Sequence, residues 1–313
     1  MCKDMKRFIL GLILGIASTI ALVFIINLIY VTLKTTEVET DKFESMPEVI
    51  EVCNLGSSHG KNSFIYDDWQ DKKGCFNFGL TSQRYQYDYR LLLNYSDRLA
   101  EDAVVFIPFS YFSIYGNGED DEFESRNNRY YKILPPELIV DYDPWVDICE
   151  HYLPVLSAYD DLIDVLKDAV VGDGGGNSFA EDIKDIQQDT IEQFNGQIKA
   201  NEDENGAPIV DEERLEALYN IIELCNSKGV RAILITTPLT RCFTDYVKEN
   251  DPNFLKKFYE DAMNIANSTG IEYYDYSCDD RFVDDEKLFI DAHHLNREGG
   301  KIFTKIIMEE VVM

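Results

Sequence analysis

An uncharged and strongly apolar stretch at residues 8–33 constrains the fold more than any other feature of the sequence. At 1.5 Å per residue, these 26 residues would form a helix of about 39 Å, whereas the hydrocarbon core of a bilayer needs only about 30 Å. We therefore predict a transmembrane anchor at residues 8–33, preceded by a cytoplasmic tail at 1–7 and followed by a polar stalk at 34–46. Residues 47–313 must then fold outside the bilayer.

The charges that flank this stretch predict its orientation. Lys3, Lys6 and Arg7 precede it against the single acidic residue Asp4, and positively charged residues favour the cytoplasmic side. We expect a single-pass protein of the cell membrane with a cytoplasmic N-terminus and an extracytoplasmic domain. A cleaved signal peptide is the alternative, but its apolar region would be about 7 to 15 residues long and would end at an A-x-A-like site. The sequence has no clear site of that kind.

The composition excludes one class of function. The chain of 313 residues has 58 acidic and 29 basic side chains, a formal net charge of −29. Such a charge opposes binding to phosphate backbones, so we exclude DNA and RNA as partners. It should also repel polyanionic wall polymers, and contact with one would then need a divalent cation or a neutral acceptor segment. With 45% hydrophobic residues, the chain has the composition of a folded globular protein.

Beyond residue 47, short β-branched or aromatic runs alternate with helical periodicity. Near-continuous apolar strands separated by helices are typical of a parallel sheet covered on both faces. We predict an α/β fold: a three-layer, flavodoxin-like sandwich with a parallel five-stranded sheet and an insertion at about 115–210, after the third strand. The predicted strands are 49–55, 75–78, 103–108, 230–236 and 271–276; the predicted helices are 83–100, 212–228, 253–269 and 297–311, with two more inside the insertion near 144–170 and 180–194.

Polar residues that follow the strands are candidate site residues, because ligands of open α/β sheets bind beyond the carboxyl ends of the strands. The first predicted strand runs into the segment NLGSSHG at 54–60. A serine between glycines at a sharp turn can project its hydroxyl while neighbouring backbone N–H groups face the same space, as an acyl-transfer nucleophile requires. A tight turn without a catalytic role is the alternative.

A second polar cluster precedes the last predicted helix, where Asp291 and His294 are three residues apart. Positions i and i+3 share one face of a helical turn. Asp291 could hold Nδ1–H of His294 and leave Nε2 to accept the proton of a serine hydroxyl. The alternative is a helix-capping acid beside two solvated histidines, His293 and His294.

With the serine motif first and Asp-x-x-His last, the chain resembles the SGNH/GDSL hydrolase superfamily over most of residues 47–313 apart from the insertion. The resemblance places the nucleophile at Ser58, in a Gly-Ser-Ser where Gly-Asp-Ser is usual, and its partners at His294 and Asp291. It makes His293 a bystander, and it gives the amides of Ser58 and Gly79 the role of oxyanion donors. The single anchor makes the chain look more like membrane-anchored relatives, which include the D-alanine transfer proteins of lipoteichoic acid synthesis and anchored O-acetyltransferases of surface polysaccharides.

The third block of the family departs from its usual pattern here. Gly-x-Asn-Asp should follow the third strand, but residues 108–112 are PFSYF. The usual Asn oxyanion donor is absent; Ser110 or Asn117 could substitute, or only two backbone donors remain. The loss of one donor costs about 10²- to 10³-fold in rate, so fast general esterase activity is not expected.

The resemblance implies a membrane-anchored, extracytoplasmic serine O-acyltransferase or acyl esterase that acts on a cell-surface glycan. The implied partners are a cell-surface glycan or teichoic-acid-like acceptor and a membrane-bound acyl-exporting protein, and no cofactor is implied. The sequence leaves open whether water or a sugar hydroxyl takes the acyl group. A non-catalytic module of the same fold that binds or assembles a surface polymer is the alternative function.

Two patterns raise the question of a metal. Asn201, Asp203, Asn205 and Glu212 have the spacing of an EF-hand calcium loop, but Asn stands at the first position, and we favour an acidic loop before a helix.

Zinc could instead be held by His59, His293, His294 and Asp291, since imidazole and carboxylate are zinc ligands. The Asp-x-x-His motif already accounts for two of these residues, so we predict no metal.

The seven cysteines show no metal-ligand spacing such as C-x-x-C, and no disulfide pairing can be predicted from them. Cys53 and Cys75 lie in apolar strand patterns, so we expect them to be small buried side chains.

Overall fold

The computed structural model describes residues 3–33, 39–69, 73–116, 127–156 and 185–313. Within them the chain forms a five-stranded, all-parallel sheet with the strand order β2-β1-β3-β4-β5, which is the flavodoxin-like order. The strands are β1 (Ile50–Asn54), β2 (Cys75–Asn77), β3 (Leu99–Pro108), β4 (Arg231–Thr236) and β5 (Glu272–Asp275). The predicted α/β class, the parallel sheet and the insertion after the third strand are confirmed.

Helices connect the strands and flank them. The described α-helices are α1 (Lys3–Leu33), α2 (Ser58–Ser63), α3 (Tyr85–Tyr95), α4 (Pro144–Tyr152), α5 (Ile186–Gln193), α6 (Glu212–Lys228), α7 (Arg241–Asn250), α8 (Pro252–Thr269) and α9 (Arg297–Ile307). Short π-helical turns at Phe194–Ile198 and Met308–Val312 continue α5 and α9. Helix α3 ends earlier than the predicted 83–100, because a 3₁₀ turn at Ser96–Arg98 leads directly into β3. Helix α2 was not predicted, since six residues are too few to show an amphipathic period.

Both faces of the sheet are buried. Every side chain of β3 from residue 103 to 108 is buried, and successive side chains of a strand point to opposite faces, so helices must cover both sides. One face belongs to a core cluster that joins Val52 and Phe106 of the sheet to Phe303 of α9. Helix α2 packs against α9, and α3 packs against α6. These contacts give the predicted three layers.

The segment that carries Asp291 and His294 precedes the last helix, as predicted, but it does not form the helical turn that was assumed from their spacing. Helix α9 begins at Arg297, as predicted, and the side chain of Asn296 caps it. Residues 290–294 instead form a tight turn, closed by the N–H of Ile290, which donates to the carbonyl of His294 at 2.9 Å. The proximity of Asp291 and His294 therefore comes from this turn.

The chain divides into two compact units. The larger unit is formed by residues 42–125 and 181–313 and contains the whole sheet. The smaller unit is formed by residues 1–41 and 126–180, and its described part contains α1 and α4.

The predicted insertion at 115–210 is divided between these units. Its described residues 127–156 belong to the smaller unit, and 185–210 belong to the larger one. The end of the predicted stalk is also structured, because the ring of Phe43 packs edge-on against Phe76 of β2, with the ring centroids 5.3 Å apart. The domain boundaries 1–7, 8–33, 34–46 and 47–313 remain predictions.

Residues Met5–Thr32 of α1 form the one helix in the described part of the chain that is long and apolar enough to cross a membrane. This range overlaps the predicted anchor at 8–33. Its large apolar side chains are mostly exposed in the protein, as lipid-facing side chains would be. Its orientation remains a prediction.

All six cysteines in the described residues are free thiols. Cys53 and Cys75 are buried in neighbouring strands, as predicted. Burial raises the pKa of the Cys75 thiol to about 12, so this side chain acts as a small apolar group.

Candidate active site

Ser58 is the first residue of α2 and follows the carboxyl end of β1. The turn between them passes through Gly56, whose φ of +108° is rarely adopted by residues with a Cβ. A Cβ on Gly56 would also lie 2.9 Å from Cγ of Pro108. The turn that presents Ser58 therefore requires glycine at position 56.

Two asparagines fasten α2 to the sheet. Nδ2 of Asn77 donates to the carbonyl of Phe64 at 2.7 Å, and its Oδ1 accepts from Nδ2 of Asn54 at 2.9 Å. Asn54 also donates to the carbonyl of Gly60 at 3.0 Å. These bonds link the helix that begins at Ser58 to the ends of both β1 and β2. Sequence reasoning missed them because side-chain hydrogen bonds between separate elements leave no local pattern in the sequence.

Asp88 of α3 holds the turn before Ser58. Its Oδ1 accepts from the N–H of Gly56 at 2.7 Å and from Nε2 of Gln83 at 2.6 Å, and both side chains are buried. Nothing in the local sequence separates Asp88 from the many exposed acids of this chain, so sequence reasoning missed it as well.

Ser58, His294 and Asp291 form a continuous chain of hydrogen bonds. Nε2 of His294 lies 2.7 Å from Oγ of Ser58, and Nδ1 of the same ring lies 2.8 Å from Oδ2 of Asp291. Ser58 is half-buried, and the side chain of His294 is 16% exposed. A ligand can therefore reach the serine hydroxyl while most of the chain is shielded from water.

The carboxylate of Asp291 is strongly favoured in its ionised form. Burial by itself would raise the pKa of Asp291, but the hydrogen bond and the charge interaction with His294, assisted by His293, hold that pKa well below its ordinary value. Oδ1 also accepts the backbone N–H of His293 at 3.0 Å and that of His294 at 2.8 Å. An ionised Asp291 favours the ring tautomer with hydrogen on Nδ1, which leaves Nε2 of His294 as an acceptor for Ser58.

His293 is not solvated. It is 2% exposed, and its Nδ1 lies 2.9 Å from Nε2 of His59, which is also buried. Nδ1 of His59 lies 2.8 Å from Oγ of Ser110. Burial and the neighbouring His294 lower the pKa of His59 well below its ordinary value. The alternative of two solvated histidines is therefore wrong for His293, and Ser110, His59 and His293 form a second buried chain beside the first.

The candidate oxyanion donors have other partners in the structure. The N–H of Gly79 donates to Oδ1 of Asn77 at 2.8 Å. The N–H of Ser110 donates to Oγ of Ser113 at 2.7 Å, and its hydroxyl faces His59. Asn117 lies outside the described residues. The oxyanion roles of these residues remain predictions, and for Gly79 and Ser110 they would require a change of hydrogen-bond partner.

Ser82 is a residue beside Ser58 that sequence reasoning did not select. It lines the same cavity as Ser58, and its φ of +53° lies in the left-handed region that residues other than glycine rarely adopt. Unusual backbone conformations of this kind cluster at functional sites. The resemblance to the SGNH/GDSL superfamily gives the role of oxyanion donor to Gly79, three residues earlier.

A cavity of about 350 Å³ opens beside Ser58, a volume typical of small-molecule sites. Arg84, Arg214 and Asp88 are the charged residues that line it. Burial lowers the pKa of Arg84 to about 10, with a further contribution from the positive charge of Arg214. The cavity therefore contains two neighbouring guanidinium groups, which bind carboxylate and phosphate groups well.

Arg214 forms a fixed part of the cavity wall. Its Nη1 donates to the carbonyls of Phe112 at 3.0 Å and Tyr115 at 2.6 Å, and its Nε lies 3.0 Å from a carboxylate oxygen of Asp211. A Cβ on Gly116 would lie 2.9 Å from the guanidinium, so the backbone passes directly against it.

The residues with EF-hand-like spacing form a loop that is stabilised by its own backbone. Oδ1 of Asp203 accepts from the N–H groups of Asn205 and Ala207, both at 2.8 Å, and these bonds lower the pKa of Asp203. Nδ2 of Asn201 donates to a carbonyl four residues earlier, and Glu212 is exposed in the first turn of α6. The favoured interpretation, an acidic loop before a helix, accounts for these contacts.

Two groups of potential metal ligands lie in the described residues, each with its ligand atoms within 4.8 Å of one another: His59, His293 and His294, and Asp189, Asp291 and His293. In the first group the distance of 2.9 Å between the nitrogens of His59 and His293 is that of a hydrogen bond. In the second group Asp189 of α5, which sequence reasoning missed, accepts from the N–H of Ala292 at 3.1 Å. The absence of a metal remains a prediction.

Two solved structures are similar to this chain. One is the crystal structure of a "putative acylhydrolase" from Bacteroides fragilis, which is 12% identical; the match covers 86% of this chain and 92% of that chain, with a TM-score of 0.41. The other is a GDSL-like lipase from Bacteroides thetaiotaomicron, which is 10% identical; the match covers 86% of this chain and 93% of that chain, also with a TM-score of 0.41. No protein-family model and no curated protein matches the chain.

Proposed function

We propose that this protein is a membrane-anchored serine O-acyltransferase or acyl esterase of the SGNH/GDSL type. The observation that carries the proposal is the hydrogen-bonded chain from Asp291 through His294 to Ser58, at the edge of a cavity that a small substrate could enter. A serine hydroxyl bonded to an imidazole, which is bonded to a buried carboxylate, is the arrangement that activates serine for acyl transfer.

In the proposed reaction, Oγ of Ser58 attacks the carbonyl carbon of an acyl ester while Nε2 of His294 takes the hydroxyl proton. Asp291 stabilises the resulting imidazolium through Nδ1–H. The alcohol leaves with the proton from Nε2, and the acyl group remains on Ser58. Water or a sugar hydroxyl then gives its proton to His294, attacks the acyl-enzyme and regenerates the serine. We propose the amides of Ser58 and Ser82 as the oxyanion donors, with Ser82 in place of Gly79.

The proposed acceptor is a cell-surface glycan, and the proposed acyl source is a membrane-bound acyl-exporting protein. Two arginines that line the cavity narrow the choice of acceptor. A protein with a net charge of −29 repels anionic polymers at long range, but Arg84 and Arg214 would attract an anionic group that enters the cavity. We therefore favour a substrate that carries a phosphate or carboxylate group near the ester, as a teichoic-acid-like acceptor would.

Covalent labelling with a fluorophosphonate probe tests the catalytic proposal. We expect the full-length protein to be labelled at Ser58 and the Ser58→Ala variant to remain unlabelled. Ser57→Ala is the matched control, because it removes the neighbouring hydroxyl and should retain labelling. An intact protein that does not react would support the alternative, a non-catalytic module that binds a surface polymer.

The proposed location is the cell membrane, with the N-terminus in the cytoplasm and the sheet domain outside. Full-length protein should remain with membranes through high-salt and carbonate washes, and protease added outside should digest the chain beyond residue 36. Release of a mature form that begins near residue 30 would instead indicate a cleaved signal peptide.

A further inference from the structure

One face of α4 is apolar and exposed. Trp145, Ile148 and Tyr152 are 61%, 44% and 72% exposed, and residues at such spacing share one side of a helix. Leu156, in the 3₁₀ turn just beyond the helix, is a further exposed apolar side chain, at 42%. Asp147 and Glu150 lie on the opposite side by the same spacing, and His151 lies between the two sides. Helix α4 is therefore amphipathic, with an aromatic residue near each end of its apolar face.

The end of α4 is hydrogen-bonded to α1. Nδ2 of Asn27 donates to the carbonyl of Tyr152 at 3.2 Å, and Oδ1 of Asn27 accepts from the N–H of Val155 at 3.2 Å. Tyr30, one turn further along α1, is only 1% exposed, although most large apolar side chains of α1 are exposed. The smaller unit thus includes a polar contact between the anchor helix and the segment that follows α4.

The position of Asn27 along α1 indicates how deep in the bilayer this contact lies. The apolar span ends at Thr32, so Asn27 lies five residues, or about 7.5 Å, inside its outer end. The 28 residues of the span would extend about 42 Å, which exceeds the roughly 30 Å hydrocarbon core by several residues. Asn27 therefore falls at the boundary between acyl chains and headgroups, where Trp and Tyr are preferred.

We propose that the apolar face of α4, formed by Trp145, Ile148, Tyr152 and Leu156, lies in the interfacial region of the same bilayer that α1 crosses. The two hydrogen bonds to Asn27 place this face beside a segment of α1 at interfacial depth, and an amphipathic helix at that depth buries its apolar side by about 5 to 10 Å. The polar side carries acids and no lysine or arginine, so the contact depends on apolar burial and suits uncharged lipid. The inference rests on the proposed anchorage of α1 and is independent of the catalytic proposal.

The chain has two tryptophans, Trp69 and Trp145, which makes the proposal measurable by fluorescence. Full-length protein would be placed in phosphatidylcholine nanodiscs whose acyl chains carry bromine, a collisional quencher, either near the headgroup or near the tail. In a Trp69→Phe variant, which leaves Trp145, we expect bromine near the headgroup to reduce emission at least about twofold and bromine near the tail to have less effect. The Trp145→Phe variant, which leaves the half-buried Trp69 of the sheet unit, is the matched control and should not be quenched.

Emission of Trp145 that is insensitive to both brominated lipids would overturn the proposal and would assign the face to a protein partner instead. Stronger quenching from the tail than from the headgroup region would also overturn it, since it would place α4 in the hydrocarbon core. Incorporation into nanodiscs is scored separately, so failure of the anchor itself is distinguished from failure of α4 to contact lipid.

Discussion

Nε2 of His59 lies 2.9 Å from Nδ1 of His293, and both rings are buried. In such a pair one nitrogen must carry the hydrogen and the other must accept it. Protonation of both rings would place two cations in contact away from water, at a cost of several kcal/mol. The pair therefore favours a neutral His59, in agreement with the lowered pKa that burial gives this ring.

The neutral His59 predicts a dependence of stability on pH. Its pKa in the folded protein lies well below the ordinary value of 6.5, so below about pH 6.5 the unfolded chain binds a proton that the folded protein does not. The free energy of unfolding should then fall as the pH decreases, by up to about 1.4 kcal/mol per pH unit for one proton. Urea unfolding at a series of pH values between about 7.5 and 5 measures this slope.

A His59→Gln variant should lose most of that slope, and His151→Gln, at an exposed histidine of α4, should retain it. The low pKa of Asp291 also contributes stability, but that contribution is lost only below the ordinary carboxyl value of 3.8, outside this range. An unchanged slope in His59→Gln would show that another group causes the effect.

Substitution of the two adjacent histidines should have different effects on the labelling of Ser58 and on the free energy of unfolding. His294→Ala should abolish labelling of Ser58 as completely as Ser58→Ala, because residues that act as one catalytic unit do not contribute additively. His293→Ala should retain labelling of the folded protein but lower its free energy of unfolding by about 1 to 3 kcal/mol, since it removes the hydrogen-bond partner of the buried His59. Labelling and urea unfolding of both variants give the comparison. Comparable loss of activity in both, restored by added zinc, would favour the metal interpretation.

Gly60 is expected to be intolerant of a side chain. A Cβ there would lie 2.1 Å from the carbonyl oxygen of Leu55, so Gly60→Ala must shift α2 and with it Ser58. We expect at least a tenfold slower labelling of Ser58 and a loss of about 1 to 3 kcal/mol in the free energy of unfolding. Gly196→Ala is the control for stability, because no atom lies within 4 Å of its added Cβ. Equal stability of the two variants would contradict the close packing of α2.

Arg84 is expected to select substrates by charge. Arg84→Gln should lower kcat/KM for an acetylated glycerol phosphate by about 10- to 100-fold, the equivalent of about 1.5 to 3 kcal/mol for a charged hydrogen bond, and should leave acetylated glycerol nearly unchanged. Arg90→Gln, inside α3, the helix that Arg84 immediately precedes, lies outside the cavity and is the control. Equal effects on the charged and neutral esters would show that Arg84 supports the wall of the cavity and does not recognise an anion.

Local patterns in the sequence determined the element types and much of the site. The apolar run of the anchor, the buried strands and the amphipathic helices each have a period that depends only on neighbouring residues, so each could be predicted without knowledge of the fold. The segments of Ser58, Asp291 and His294 were identified because they follow a strand or precede a helix, and ligands of such sheets bind beyond the carboxyl ends of the strands. The choice of Ser58 as the nucleophile came from the resemblance to the SGNH/GDSL superfamily. The start of the last helix at Arg297 was predicted correctly, but the Asp291–His294 spacing was interpreted as a helical turn, since spacing does not distinguish a helical turn from a tight turn.

Only the tertiary structure decided which side chains meet across that edge. The pairing of His59 with His293 spans 234 positions, and no local pattern encodes it. The support of Ser58 by Asp88 and Asn77, and the positive φ of Ser82 beside the cavity, likewise depend on how separate segments pack together. Periodicity is a property of neighbouring residues and can be read along the chain, whereas hydrogen bonds between distant residues exist only after the sheet and its helices have brought those residues together.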